Sequence, residues 1–301
     1  MSAAGRDLLR AWVLASRPKT LFASVSPIIL GTALAFSHGL GDGTAAFAAL
    51  IGAIFIQIGT NLANDYWDAK KGADRAERLG PTRVTSGGLL TPRTVFLGMV
   101  VCFAFACLAG VFLVARAGWP VLVIGLVSIF CGILYTAGPF ALAYLGLGDL
   151  FTFVFFGLVA TSGTYFVEAR AFSATSLVLG TMPGFYSVVL IALNNLRDRE
   201  SDLLSNKKTL AVRFGSQFTR WEIAICLLAP CIAPLWLWQE GFLQGWMSLV
   251  CLIPASVAGF AVGRPVFRIQ DMRQINRLFP LTGLASLSMA LVVSGFLLLR
   301  K

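Results

Sequence analysis

Histidine is nearly absent: His38 is the only one in 301 residues, and it stands in a glycine-rich turn. Histidine is therefore set aside as a general base and as a recurrent metal ligand. Charge is scarce too. Asp, Glu, Lys and Arg make up 13% of the chain, against about 25% in a soluble domain. Hydrophobic residues reach 57% and mean hydropathy is +0.80. One soluble core of this size cannot hide them, so a bilayer must solvate much of the surface. The six cysteines (Cys102, Cys107, Cys131, Cys226, Cys231 and Cys251) all fall in apolar runs without Cys-x-x-Cys spacing. They read as small hydrophobes, not disulfides or ligands. No basic RNA-binding helix is present; the net charge of +10 sits in short loops between apolar runs, and no nucleic acid is expected as a partner. No small-residue cleavage site follows the mixed polar start, so a cleavable signal peptide is not expected either.

What is present is a series of nine apolar runs, each about 17–23 residues long and so near the span of a bilayer. They lie at 21–37, 44–62, 94–115, 119–136, 148–166, 173–193, 221–238, 245–262 and 278–299. The short alternating segments of a β-barrel are missing. The expectation is an all-α polytopic membrane protein: nine transmembrane helices around a central cavity, in one domain over 1–301. Pro27, Pro183, Pro230 and Pro254 predict kinks. With the N-terminus in the cytoplasm, all but four of the 24 Lys/Arg fall on the inner side; Arg116, Arg170, Arg300 and Lys301 are the exceptions. That asymmetry predicts a multi-pass protein of the cytoplasmic (inner) membrane, N-terminus in and C-terminus out. The two long inner segments, about 63–93 and 194–220, follow the second and sixth runs, which hints at a duplicated four-helix unit with a ninth helix added.

Half of the 14 acidic residues lie in those two segments: Asp65, Asp68, Asp74, Glu77, Asp198, Glu200 and Asp202. Carboxylates at the end of a span are costly unless paired or bound to a cation. On a continuing helix Gln57, Asn61, Asp65 and Asp68 share one face, with Asn64 four before Asp68. Asp74 joins them only if the helix ends near Gly72. Asn194, Asp198 and Asp202 form a second stripe, with Asn195 beside it, while Glu200 points elsewhere. Two oxygen-rich stripes suit magnesium, which takes one or two carboxylates together with substrate phosphates. Solvated helix ends with capping and salt-bridge duties are the plainer alternative. Arg83, Lys207 and Lys208 trail the clusters. They are placed to grip phosphate oxygens, or simply to set topology.

These residues carry a resemblance. Asn64-Asp65-Tyr66-x-Asp68 with Asp74, then Asn194-Asn195-x-Arg197-Asp198 with Asp202, on nine spans, resembles the UbiA superfamily of intramembrane aromatic prenyltransferases. Arg17-Pro18-Lys19-Thr20, Gly80-Pro81-x-Arg83, Tyr135-Thr136-x-Gly138-Pro139 with Gly146-x-Gly148-Asp149, and Lys208-Thr209 through Arg213 and Gly215 point to its menaquinone-pathway branch. The six residues from Asp68 to Asp74 and the paired asparagines favour that branch over the 4-hydroxybenzoate branch. The resemblance implies transfer of a polyprenyl group from polyprenyl diphosphate to 1,4-dihydroxy-2-naphthoate, with decarboxylation, giving demethylmenaquinone. It implies magnesium, two ions bridging the diphosphate, with Asp65, Asp68, Asp198 and Asp202 as ligands, Asp74 as a late one, and Asn61 and Asn194 assisting. Arg83 and Lys208 would contact diphosphate, Lys19 the acceptor's carboxylate, and Tyr135 the acceptor ring. A different aromatic acceptor, such as 4-hydroxybenzoate, is the alternative within the superfamily. A transporter is the alternative outside it, although its polar residues would lie near the membrane midplane, not at one face.

Overall fold

The computed structural model describes residues 3–72 and 79–299, and among these the chain is entirely helical and turn. The helices are α1 (Ala3–Ser16), α2 (Phe22–Ser37), α3 (Gly43–Lys70), α4 (Pro92–Ala117), α5 (Trp119–Leu134), α6 (Gly148–Ala169), α7 (Ala174–Arg197), α8 (Arg199–Leu204), α9 (Leu210–Gln239), α10 (Gly245–Arg268) and α11 (Met272–Leu298). Each of the nine expected runs coincides with an apolar helix. Seven of these helices (α3, α4, α6, α7, α9, α10 and α11) are long and apolar enough to cross a membrane by themselves. The first run, on α2, reaches that length only with the preceding helix, bent from it by 51°; the fourth, α5, is a shorter apolar helix. Seven or eight spans thus stand on length and composition where nine were expected.

The local causes are visible in the sequence. Arg17 takes a left-handed conformation (φ 51°) before Pro18, and a residue preceding proline is in any case disfavoured in the right-handed α region. That breaks α1 from α2. Asp42 opens α3 by accepting from the Thr44 and Ala45 amides, at 2.8 and 3.2 Å. Thr91 caps α4 ahead of Pro92, and Thr209 caps α9. Such caps satisfy amides that a helix start leaves open. α3 ends at Lys70, and Gly72 follows with φ 66°, as the glycine there led one to expect.

α7 is the inner helix, with 72% of its apolar window buried. It packs against α6, where a wide π turn at Val154–Val159 brings Gly157 onto Gly180. A methyl on Gly180 would stand 2.9 Å from the Gly157 carbonyl oxygen. Small residues of this kind let helix backbones approach closely in apolar surroundings. Large apolar side chains such as Leu108, Phe112, Phe130 and Phe260 stay exposed on the outside, as a bilayer-facing surface requires. The architecture leaves α2, α3, α4, α5, α6 and α7 around one central cavity.

Candidate active site

The cavity has a volume of about 760 Å³. Its body is apolar, with Val114, Leu122, Leu126, Phe151, Phe155 and Phe156 on the wall. Its polar end is built from the last turns of α3 and α7. Gln57, Asn61, Asn64 and Asp68 line it from α3; Asn194, Asn195, Asp198 and Asp202 line it from the α7–α8 side. Although α7 ends at Arg197, the Asp198 amide still donates to Asn194 O and the Asp202 amide to Asp198 O. The expected stripe therefore continues across the junction. Glu200 is exposed.

Asp65 is the exception on α3. Its carboxylate accepts from the backbone amides of Val84 and Thr85, at 3.1 and 3.0 Å, and it is absent from the cavity wall, where Asn64 stands. Helical phase explains this. At about 100° per residue, Asn64 lies about 40° around from Asp68 and Asp65 about 60° to the other side. Asp65 thus pins the loop that carries Arg83. Asp74 falls outside the described residues.

The carboxylates have countercharges beside them. Asp68 is joined by Arg83 at 3.2 Å and Lys207 at 3.4 Å, and the Tyr144 hydroxyl reaches its other oxygen at 3.5 Å. Arg197 grips Asp198 with Nε and Nη2 at 2.8 and 2.7 Å, and also donates to Asn194 and Asn276. Asn64 accepts from Thr136, and Asn61 donates to Ser16 O at the α1–α2 break. Lys71, just past α3, donates to Thr136 O and Gly138 O and lies over the Tyr144 ring. Burial pulls its ammonium below the usual lysine range, against the pull of Asp68. Tyr135 also lines the cavity.

Among the described residues no three His, Cys, Asp or Glu side chains cluster closely enough to hold an ion by themselves. What the two walls offer is a set of hard oxygen donors facing across a gap. Such a set fits a cation that takes one or two carboxylates from the protein and other oxygens from a phosphate ligand. It does not suit a transition metal that asks for imidazole or thiolate.

A family model described as the UbiA prenyltransferase family matches residues 24–296. The chain belongs to the UbiA prenyltransferase family. The 1,4-dihydroxy-2-naphthoate octaprenyltransferase of Escherichia coli (strain K12) is 36% identical over 249 residues, covering 80% of this chain and 81% of that protein. The enzyme of the same name from Mycobacterium tuberculosis is 35% identical over 286 residues, covering 95% and 96%. Among solved structures, a UbiA homolog from Archaeoglobus fulgidus bound to GPP and Mg2+ superposes with a TM-score of 0.65 at 14% identity, covering 92% of this chain and 99% of that one.

Within this UbiA fold, two basic residues change places with close neighbours. Lys19 is exposed and off the cavity, while Arg17 lines it. The left-handed turn at Arg17 makes the difference, and only the following proline hinted at it. Lys208 is likewise exposed, its amide engaged by Tyr144 O, while Lys207 reaches Asp68. Tyr144 was not singled out from sequence, and Thr136 stood only in a motif without a role of its own; both sit in the irregular stretch after α5, where periodicity gives no phase.

Proposed function

We propose that this cavity transfers a polyprenyl group from polyprenyl diphosphate to 1,4-dihydroxy-2-naphthoate, with loss of carbon dioxide. The product is demethylmenaquinone, formed as its quinol. The observation that carries this reading is the pairing of two Asn/Asp walls at the polar end of a long apolar cavity: a diphosphate fits the first, a prenyl chain the second. The acceptor follows from the chain's relatives, which are 1,4-dihydroxy-2-naphthoate octaprenyltransferases.

Asp68, Asp198 and Asp202 would hold magnesium, with Asn61, Asn64, Asn194 and Asn195 as neutral oxygen donors around it. Bound there with the diphosphate, a divalent cation supplies charge neutralisation of the leaving group, worth several kcal/mol in such reactions. Arg83 and Lys207 take phosphate oxygens as charge-assisted donors. Phe151, Phe155 and Phe156 present ring faces to the allylic cation, and each face contributes about 0.5–2 kcal/mol. Arg17 takes the acceptor's carboxylate, in place of the exposed Lys19. The apolar wall keeps water from the cation, so capture by the electron-rich ring competes well. The polar end faces the cytoplasm, where a soluble acceptor enters and diphosphate leaves.

The test is product formation by the purified protein given a polyprenyl diphosphate, magnesium and either dihydroxynaphthoate or 4-hydroxybenzoate. A prenylated naphthoquinol that disappears with chelator is expected. Prenylated 4-hydroxybenzoate without any naphthoquinol would overturn the acceptor.

A further inference from the structure

The second wall of the site is held from behind by a residue far from it in sequence. Asp271 opens α11 by accepting from the Arg273 amide at 3.0 Å, and the first turn that follows, Met272–Arg277, is a tight 3₁₀ turn. It buries Ile275 and leaves Asn276 half-buried beside the end of α7. The Asn276 side-chain amide is used at both ends. Its Oδ1 accepts from Arg197 Nη1 at 2.8 Å, and its Nδ2 donates to the Leu79 carbonyl at 3.0 Å. These partners lie 79 and 197 residues away in sequence. A guanidinium only donates and a carbonyl only accepts, so the partners fix which way the amide points. Arg197 is 3% exposed. Its other nitrogens grip both oxygens of Asp198 and also Asn194 Oδ1, and its guanidinium lies 5.4 Å over the ring of Phe279, one turn further along α11. The guanidinium is a rigid fork that never loses its charge. Its direction therefore sets the directions of Asp198 and Asn194, both on the cavity wall. Each Asp198 oxygen still keeps a lone pair for a cation. Leu79 belongs to the first wall. It opens the loop that runs through Arg83, which meets Asp68 at 3.2 Å, to Val84 and Thr85, whose amides Asp65 holds. That loop is thus fastened at one end by Asp65 and at the other by Asn276.

We propose that Asn276 is a positioning residue that clasps the two walls together. It aims Arg197, and through it Asp198 and Asn194, at the metal, while it holds the Arg83 loop over the diphosphate. The clasp rests on the metal and diphosphate part of the functional reading and extends it. Asn276 does not line the cavity and touches neither substrate, so it acts only through its two partners. One side chain thereby couples the site's grip on the cation to its grip on phosphate. Partners that stand behind metal ligands in this way typically change metal affinity or activity by about 10–100-fold when removed. The chemistry of the amide separates its two duties. A carboxylate at position 276 still accepts from Arg197 but has no proton for the Leu79 carbonyl. A leucine side chain, of similar shape, serves neither partner.

The experiment compares the purified full-length wild type with Asn276→Leu, Asn276→Asp and Gln274→Ala, the last an exposed neighbour on the same turn. The readouts are KM for polyprenyl diphosphate, the magnesium concentration at half-maximal rate, the melting temperature in detergent, and its rise on adding magnesium with inorganic pyrophosphate. Asn276→Leu is expected to raise both the KM and the half-saturating magnesium by about 10–100-fold, and to lose most of the melting rise. Asn276→Asp should raise the KM while its half-saturating magnesium stays near the wild-type value. Gln274→Ala should match wild type in every readout. Should Asn276→Leu fail to fold, Asn276→Asp, which exchanges one NH2 for an oxygen, decides alone. A wild-type KM in Asn276→Asp, or wild-type KM and magnesium dependence in Asn276→Leu, would overturn the proposal. So would a lower melting temperature with both half-saturations unchanged, since that would mark a packing role. A wild type that magnesium pyrophosphate stabilises but that prenylates no aromatic acceptor would sink the reading of the reaction instead. The clasp would then stand or fall on the melting rise, which should remain smaller in Asn276→Leu than in wild type.

Discussion

At the scale of single residues, neighbours one position apart have opposite fates, and two predictions separate them. Lys207 reaches Asp68 and would reach a phosphate, while Lys208 points outward. Lys207→Ala should raise KM for polyprenyl diphosphate by about 10–100-fold, the value of one charge-assisted contact of about 1.5–3 kcal/mol. Lys208→Ala should leave KM within about twofold of wild type, and steady-state kinetics on the two proteins decides it. Equal losses would contradict the register. Asp65 differs from Asp68 in the same way. Its two oxygens hold the Val84 and Thr85 amides, so Asp65→Ala strands two donors at a buried position. The expected loss is about 2–4 kcal/mol of stability, seen as a lower melting temperature in detergent, with Asp65→Asn losing less. Unchanged melting with abolished magnesium dependence would instead make Asp65 a ligand.

At the scale of elements, the helices were legible and their phases only partly so. All nine apolar runs became helices, because about twenty apolar residues in succession leave few alternatives in lipid. The second cluster's stripe survived the α7–α8 junction because the hydrogen-bond spacing of four continues through it. The first cluster was misphased by one residue: three and four are both acceptable spacings on a helix, and only the loop carrying Val84 and Thr85 chooses between Asn64 and Asp65. Tyr144 and the role of Thr136 lay hidden because residues 135–147 form turns without a period. The glycine contact between α6 and α7 gives this scale its prediction. Gly180→Val would force side-chain atoms against the Gly157 carbonyl, which a Cβ alone already meets at 2.9 Å. The helices must part, and since α7 carries Asn194 in its last turn at the cavity's polar end, both stability and kcat should fall. Overpacking typically costs about 1–3 kcal/mol. Gly110→Val on α4, where a Cβ meets nothing within 4 Å, should leave melting near wild type. Equal melting for the two variants would remove the close approach as a constraint.

At the scale of the whole molecule, charge and chemistry share one end. α3 runs about 42 Å from Gly43 to Lys70 at 1.5 Å per residue. At its start Asp42 pairs with Arg116 at 2.6 Å and gives its amide to Glu168. At its far end lie Asp68, Arg83, Lys71 and Lys207. The basic loops therefore cluster at the cavity's polar mouth, while few Lys/Arg mark the other face. Because Lys and Arg are retained on the cytoplasmic side during insertion, the mouth should open to the cytoplasm. Cysteine labelling tests this directly. In a chain whose six native cysteines are replaced by alanine, Arg170→Cys at the α6 end and Glu200→Cys at the mouth provide two exposed reporters. A membrane-impermeant maleimide added to intact spheroplasts should label Arg170→Cys and spare Glu200→Cys. Inside-out vesicles should reverse the pattern. The opposite pattern would place the diphosphate site on the outer face, away from the soluble acceptor, and overturn the orientation along with the route by which substrates reach Asp68 and Asp198.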